Sequence, residues 1–176
     1  MLEQQESLLP HSKPGERLPV LAVGVDKYGE ESLDELKRLL DTLDVNTVGQ
    51  VIMMQRSINP ATYIGSGKLE EVRLLAEKES AKAVFFDVDL TPNQLKNLEK
   101  QLGIAVLDRS GVIIEIFSQH ARTREAKVQV ELARLQYLMP RLAHFWTHFE
   151  RQRGGIGMKG MGETQIESAL LLLTET

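Results

Sequence analysis

The 176-residue sequence contains no cysteine, which excludes disulfides and thiolate chemistry and suits a reducing compartment. It has no signal-like start either. The opening stretch MLEQQESLLPHSKPGERLP carries Glu3 and Glu6 and no apolar run of signal-peptide length, which argues against secretion. Membrane insertion is not expected: the longest apolar run near the end, Ala169–Leu173, is far too short to span a bilayer. No Ser/His/Asp set stands out, so no catalytic residue is assigned. What is present is 42% hydrophobic and 26% charged residues, the balance of a soluble globular chain. A compact chain of this length buries roughly 70% of its unfolded surface, enough for one domain or one domain with a helical appendage.

Charge is unevenly spread. From Phe117 to Gly160 there are eight bases against three acids, a balance of +5, which leaves 13 bases against 22 acids, or −9, elsewhere. Such asymmetry points to a polyanion-facing end on an acidic body, a solvated helix face being the simpler alternative. Within the basic region, Arg151–Gln165 (RQRGGIGMKGMGETQ) combines Arg151, Arg153 and Lys159 with Gly154, Gly155, Gly157, Gly160 and Gly162, and no acid precedes Glu163. Glycine leaves the peptide groups unshielded and the backbone permissive, so this loop is suited to lie against phosphates.

The pattern predicts an α/β fold: a small four-stranded parallel sheet flanked by helices, followed by a long-helix, coiled-coil-like subdomain. Strands are expected at Leu18–Val25, Val45–Gln55, Ala83–Val88 and Ile104–Leu107, alternating with helical stretches. Ser32 is placed as the cap of the first helix, and Lys68–Ser80 as the second. Thr91 as N-cap, Pro92 at the first helical position and Gln94 completing a capping box mark the third, which Gly103 stops. Residues 1–17 read as a loose tail, 18–109 as the α/β part, 110–150 as the long-helix part, 151–163 as the basic loop and 164–176 as the start of a returning helix. In the long helix, Val128, Leu132, Leu135, Met139, Leu142, Trp146 and Phe149 form a heptad seam, with Pro140 expected to kink it. Lys127, Arg134, Arg141 and His148 repeat every seven residues on the opposite face. The seam needs a partner, and with little of a returning helix after Glu163 the chain reads as truncated.

Ligands of such sheets bind beyond the carboxyl ends of the strands, where Asp26, Asp87, Asp89, Asp108 and Arg109 fall. Asp87 and Asp89 read as polar caps of that edge or as oxygen ligands for Mg²⁺. Gly65, Gly67 and Lys68 resemble a phosphate-binding loop and are the candidate cofactor residues, although Thr62 stands where the first glycine belongs and Leu69 where the metal-binding hydroxyl belongs. The alternative is a plain turn at a helix start. His144 and His148 have a zinc-compatible spacing but no third ligand, so no metal site is assigned.

Four stretches, Asn59–Val72, Phe86–Lys100, Val106–Leu142 and Gly154–Glu167, resemble the N-terminal region of the HflX family of translational GTP-binding proteins, the similarity running from about Pro19 to Glu167. The resemblance implies a small parallel α/β part with a long antiparallel helical pair, a following GTPase domain that uses GTP and Mg²⁺, and a cytoplasmic protein. It implies binding to the large ribosomal subunit and its rRNA to split or rescue ribosomes, with the loop Arg151–Gly162 reaching rRNA. Arg151, Arg153 and Lys159 then pair with phosphates, the loop glycines allow close approach, and Lys127, Arg134 and Arg141 position the helix. The GTPase motifs themselves do not occur here, and SALLLLTET after Glu167 departs from the family pattern. The alternatives are an ATP- or GTP-binding domain at the strand ends, or a regulatory module acting on the GTPase domain.

Overall fold

The structure, a computed structural model, describes residues 7–10, 12, 15–26, 30–54 and 58–152, without the side chains of 25–26, 30–33 and 142–152. Its elements alternate as expected: β1 (Pro19–Asp26), α1 (Glu30–Thr42), β2 (Asn46–Met54), α2 (Ser66–Lys78), β3 (Ala83–Phe86), α3 (Pro92–Leu102), β4 (Ala105–Leu107), α4 (Arg109–His120) and α5 (Arg124–Gln152). The four strands form one parallel sheet in the order β2-β1-β3-β4. No described helix is long and apolar enough to cross a membrane.

Each face of the sheet carries its own core. Leu21, Val23, Val51, Val84 and Phe86 pack under α2 and α3 with Val72, Leu95 and Leu98. Alternate residues Val20, Ala22, Ala83 and Phe85 point the other way and meet Leu36 and Leu40 of α1 and Val112 of α4. Phe85 and Phe86, both fully buried, are thus adjacent in sequence but belong to different cores. Burial of each contributes about 2–3 kcal/mol, and a strand covered on both faces has to read as an unbroken apolar run.

The signals around α3 are realised in full. Thr91 Oγ1 accepts from Gln94 N at 3.3 Å, and Gln94 Oε1 accepts in return from Thr91 N at 2.9 Å. Gly103 ends the helix at φ 70°, a left-handed conformation in which a side chain is strained. The first helix starts two residues before Ser32, at Glu30.

Two features depart from the expected layout. The chain divides into compact units at Leu138/Met139 rather than at 109/110, because α4 belongs to the sheet: Val112 is fully buried in the core it shares with α1. Part of the stretch expected as a loose tail is held down. Ser7 Oγ donates to Glu115 Oε2 at 2.9 Å, Leu8 N donates to Glu115 Oε1, and Leu9 enters the α1–α4 core. Glu115 is 2% exposed, so its carboxylate relies on these donors to offset its desolvation.

The second unit begins at Met139, where the helical assignment continues through Pro140 to Gln152. Met139 is half exposed, as are Val128, Leu132 and Leu135 in the first unit to a similar degree, so the seam is open along its described length. The returning segment expected to cover it lies outside the described residues.

Candidate functional site

The chain leaves β1 for β2 on one side and then fills β3 and β4 on the other, so the order reverses between β1 and β3. In doubly wound sheets the ligand crevice opens at that reversal, beyond the carboxyl ends. Asp87 directly follows β3 there, anchored by its backbone N–H to Val23 O at 3.0 Å. Its side chain is completely buried and accepts from Arg109 Nη1 at 3.3 Å, while Arg109 Nη2 reaches Glu35 Oε1 at 2.5 Å. Beside this triad, Ser110 Oγ donates to Asp89 Oδ1 at 2.7 Å.

Burial pushes the Asp87 carboxyl up from 3.8 to about 6; the nearby Glu35 adds to this and Arg109 opposes it. A folded-state pKa above the unfolded value means that the native state holds the proton more tightly. The stability this group contributes is therefore present at low pH and is lost as pH rises through about 6. Asp87→Asn should remove that dependence. The difference in unfolding free energy between wild type and variant should change by up to about 2 kcal/mol between about pH 4 and about pH 7, in favour of the wild type at the acid end. Urea midpoints measured at the two ends check this.

A second constellation is centred on Asp108, which is 3% exposed and caps α4. Its Oδ1 accepts from Gly111 N at 2.8 Å and from Tyr137 Oη at 2.9 Å, and its Oδ2 accepts from Leu90 N at 3.2 Å. One carboxylate thus joins the β3–α3 loop, the start of α4 and a residue of α5. Position 111 has to be glycine for this to close, because a Cβ there would lie 2.7 Å from the Tyr137 oxygen. Sequence reasoning placed Asp108 at the strand ends but missed the cap and Tyr137. The signal was available as an aspartate three residues before a glycine at the opening of an apolar helix.

The candidate cofactor residues sit at the opposite flank of the sheet. Gly65 is the extended N-cap of α2 without a side-chain cap, Gly67 is exposed, and Lys68 Nζ turns onto Glu71 at 2.7 Å. The preceding turn is built from its own polar groups: Asn59 Oδ1 accepts from Ala61 N at 2.8 Å and Thr62 Oγ1 donates to Ile64 O at 2.7 Å. Two amides of α3 staple it, Gln94 Nε2 to Asn59 O at 3.3 Å and Asn97 Nδ2 to Ala61 O at 2.9 Å. Tyr63 adopts φ 65°, a strained value for a bulky residue, which these bonds sustain. The loop departs from the phosphate-binding motif it resembles: Thr62, a buried threonine, stands where the first glycine belongs and Leu69 where the metal-binding hydroxyl belongs, while Lys68 pairs with Glu71. Among the described residues no group of acids and histidines is arranged to hold a metal ion, and His144 and His148 have no described side chains.

Of the bases expected to position the helix, Lys127 is exposed and Arg141 half-buried. Arg134 is a correction. It is 4% exposed, with Glu131 Oε2 3.8 Å from its Nη1, so it does not present charge to a polyanion. A heptad count alone puts it on the outer face of the helix and does not register the sheet domain packed on that side. Arg151 lies in the last turn of α5, its side chain undescribed; Arg153, Gly154, Gly155, Gly157, Lys159, Gly160 and Gly162 lie outside the described residues.

Comparison with known proteins gives a consistent result. A family model described as GTP-binding GTPase N-terminal matches residues 30–118, and one described as GTP-binding GTPase middle region matches residues 120–175. The chain is similar to the GTPase HflX of Flavobacterium psychrophilum, 42% identical over 158 residues that make up 87% of this chain and 38% of that protein. The GTPase HflX of Escherichia coli is 42% identical over 143 residues, 81% of this chain and 34% of that protein. Among solved structures, a GTP-binding protein from the hyperthermophilic archaeon Sulfolobus solfataricus in complex with GDP matches with a TM-score of 0.61 and 29% identity, over 77% of this chain and 42% of that one. The chain thus spans between 34% and 38% of the length of these two curated relatives.

Proposed function

Starting from the fact that this chain belongs to the HflX family of GTPases, as its N-terminal region, we propose that it is the ribosome-contacting part of such a GTPase and is not itself catalytic. In this reading it binds the large ribosomal subunit through rRNA. Arg151, Arg153 and Lys159 pair with phosphates, and Gly154, Gly155, Gly157, Gly160 and Gly162 let the backbone approach. GTP and Mg²⁺ are handled by the GTPase domain of the parent protein, which works in the cytoplasm to split or rescue ribosomes. α5 follows the sheet domain in the chain, and Lys127 and Arg141 add favourable charge along it, while Arg134 is withdrawn from this role by its burial.

The observation that carries the reading is the placement of charge. The segment from Phe117 to Gly160 carries +5 and the rest of the chain −9, and the glycine- and arginine-rich run begins in the last turn of a 29-residue helix. An acidic body repels rRNA and a basic tip attracts it, so orientation is set before the two meet. Co-sedimentation of the chain with purified large subunits across a salt series tests this. Three phosphate pairings give a log–log slope of about −2 to −3. Binding indifferent to salt would refute a phosphate-led interface.

A further inference from the structure

The inward stripe of α5 holds a misfit. Val130, Ala133, Arg134 and Tyr137 recur at helical spacing and are half-buried or buried, while Leu132, Leu135 and Gln136 between them are exposed. Tyr137 packs against the core under α2 and α3 and donates to Asp108 Oδ1 at 2.9 Å. Arg134, one turn earlier on the same stripe, is buried, and among the described residues its Nη1 has no hydrogen-bond partner. Glu131 Oε2 stands 3.8 Å away, beyond hydrogen-bond reach, on a side chain that remains 48% exposed. A guanidinium stays charged when it is buried, so it cannot escape the cost by losing its proton. Burial with a donor left unsatisfied disfavours the packed arrangement, whereas an apolar side chain at the same place would favour it.

We propose that residues 124–138 of α5 form a latch with two states, and that a polyanion selects the second. In the docked state, the one described above, Tyr137 is bonded to Asp108 and Arg134 is buried. In the released state these residues lift from the sheet domain, and Arg134 joins Lys127 in facing phosphates. The inference rests on the rRNA-binding reading of the chain and adds a conformational step to it. The docked state is closely fitted at Tyr137, whose hydroxyl fills the space that a Cβ at Gly111 would take, and ill fitted at Arg134. A two-state element needs that contrast: contacts specific enough to define one state, and a group whose pairing improves only in the other. A ligand shifts such an equilibrium only by its differential affinity for the two states. Here the released state alone offers it the Arg134 guanidinium, which can make two parallel hydrogen bonds to one phosphate. The ligand is a polyanion and not a single small anion, because Lys127 and Arg134 stand seven residues apart, about 10 Å along the helix. Both belong to the segment of net charge +5.

Spin labels at Lys82→Cys on the sheet domain and Gln136→Cys on α5, both exposed positions in a chain without native cysteine, measure the distance between the two parts. The chain alone should give one dominant distance and a longer one populated at about 1–10%. Purified large ribosomal subunits should move the majority to the longer distance. Without subunits, Tyr137→Phe should raise the longer population about fivefold. Arg134→Leu and Arg134→Met should each remove it, the methionine keeping the packing of the arginine stem. Both should also weaken subunit binding about tenfold and make its log–log salt slope shallower by about 1 unit. Subunits that bind without lengthening the distance overturn the latch and leave the rRNA reading standing. So does a distance distribution indifferent to Tyr137→Phe, or subunit binding indifferent to the loss of Arg134. A chain that fails to bind subunits at any salt removes the rRNA reading itself, and the polyanion-selected state falls with it.

Discussion

Asp108→Ala should lower the unfolding free energy by about 3–5 kcal/mol, a large part of what a domain of this kind has. The side chain accepts three hydrogen bonds at a buried position: from Leu90 N, Gly111 N and Tyr137 Oη. Losing the cap of α4 costs about 1 kcal/mol. Removing the acceptor shared by the Leu90 N–H and the Tyr137 hydroxyl adds about 1–3 kcal/mol for each group that neither water nor another partner then satisfies. Urea unfolding followed by circular dichroism measures the total. Tyr137→Phe should cost only about 1 kcal/mol, since it removes donor and bond together. Gly111→Ala should behave like a physical block of the same bond, its Cβ falling 2.7 Å from the tyrosine oxygen. The two changes should therefore be less than additive when combined. A loss below about 1 kcal/mol for Asp108→Ala would mean that the three bonds do not act as the junction of loop, α4 and α5.

The second large effect concerns the basic loop. Reversing charge at both Arg151 and Arg153 should weaken binding to large subunits by about a hundredfold or more at moderate salt. It should also reduce the log–log salt slope by about 2 units, one for each arginine–phosphate pair that no longer forms. Arg151→Gln with Arg153→Gln should lose less, because it removes attraction without adding repulsion. Lys82→Glu, on the exposed surface of the sheet domain, should leave both quantities nearly unchanged. An equal loss from Lys82→Glu would point to long-range net charge rather than direct pairing by the loop. Unchanged affinity after the double reversal would exclude the loop from the interface.

The fold was legible where local chemistry and global architecture agree. Thr91, Pro92, Gln94 and Gly103 bound α3 because capping and left-handed termination are decided within a few residues. The apolar run Ala83–Phe86 announced a strand buried on both faces. The pairing order β2-β1-β3-β4 is set by packing between distant segments, and no spacing within one segment carries it. The same holds for α4, grouped by composition with the helical arm but packed on the sheet through Val112. Arg134 shows the limit of periodicity: a seven-residue repeat identifies one face of a helix but not what is packed on the other. Glu115 marks the converse case, a charge on an apolar helix face that is tolerable only because Ser7 and Leu8 come back to it. The Asp87–Arg109–Glu35 triad was half visible, its acid and base being foreseen at the strand ends and its third member lying one helix away.

In the proposed function the basic segment Arg151–Gly162, and not the acidic sheet domain, faces rRNA. The absence of native cysteine makes a direct measurement possible, since one introduced thiol carries one probe. With an iron chelate tethered at Met158→Cys, hydroxyl radicals generated on bound large subunits should cut rRNA at a compact set of nucleotides. The same probe at Glu77→Cys, on the exposed side of α2, should cut little or none. Strong cutting from position 77 with none from position 158, in chains that still bind, would contradict the account.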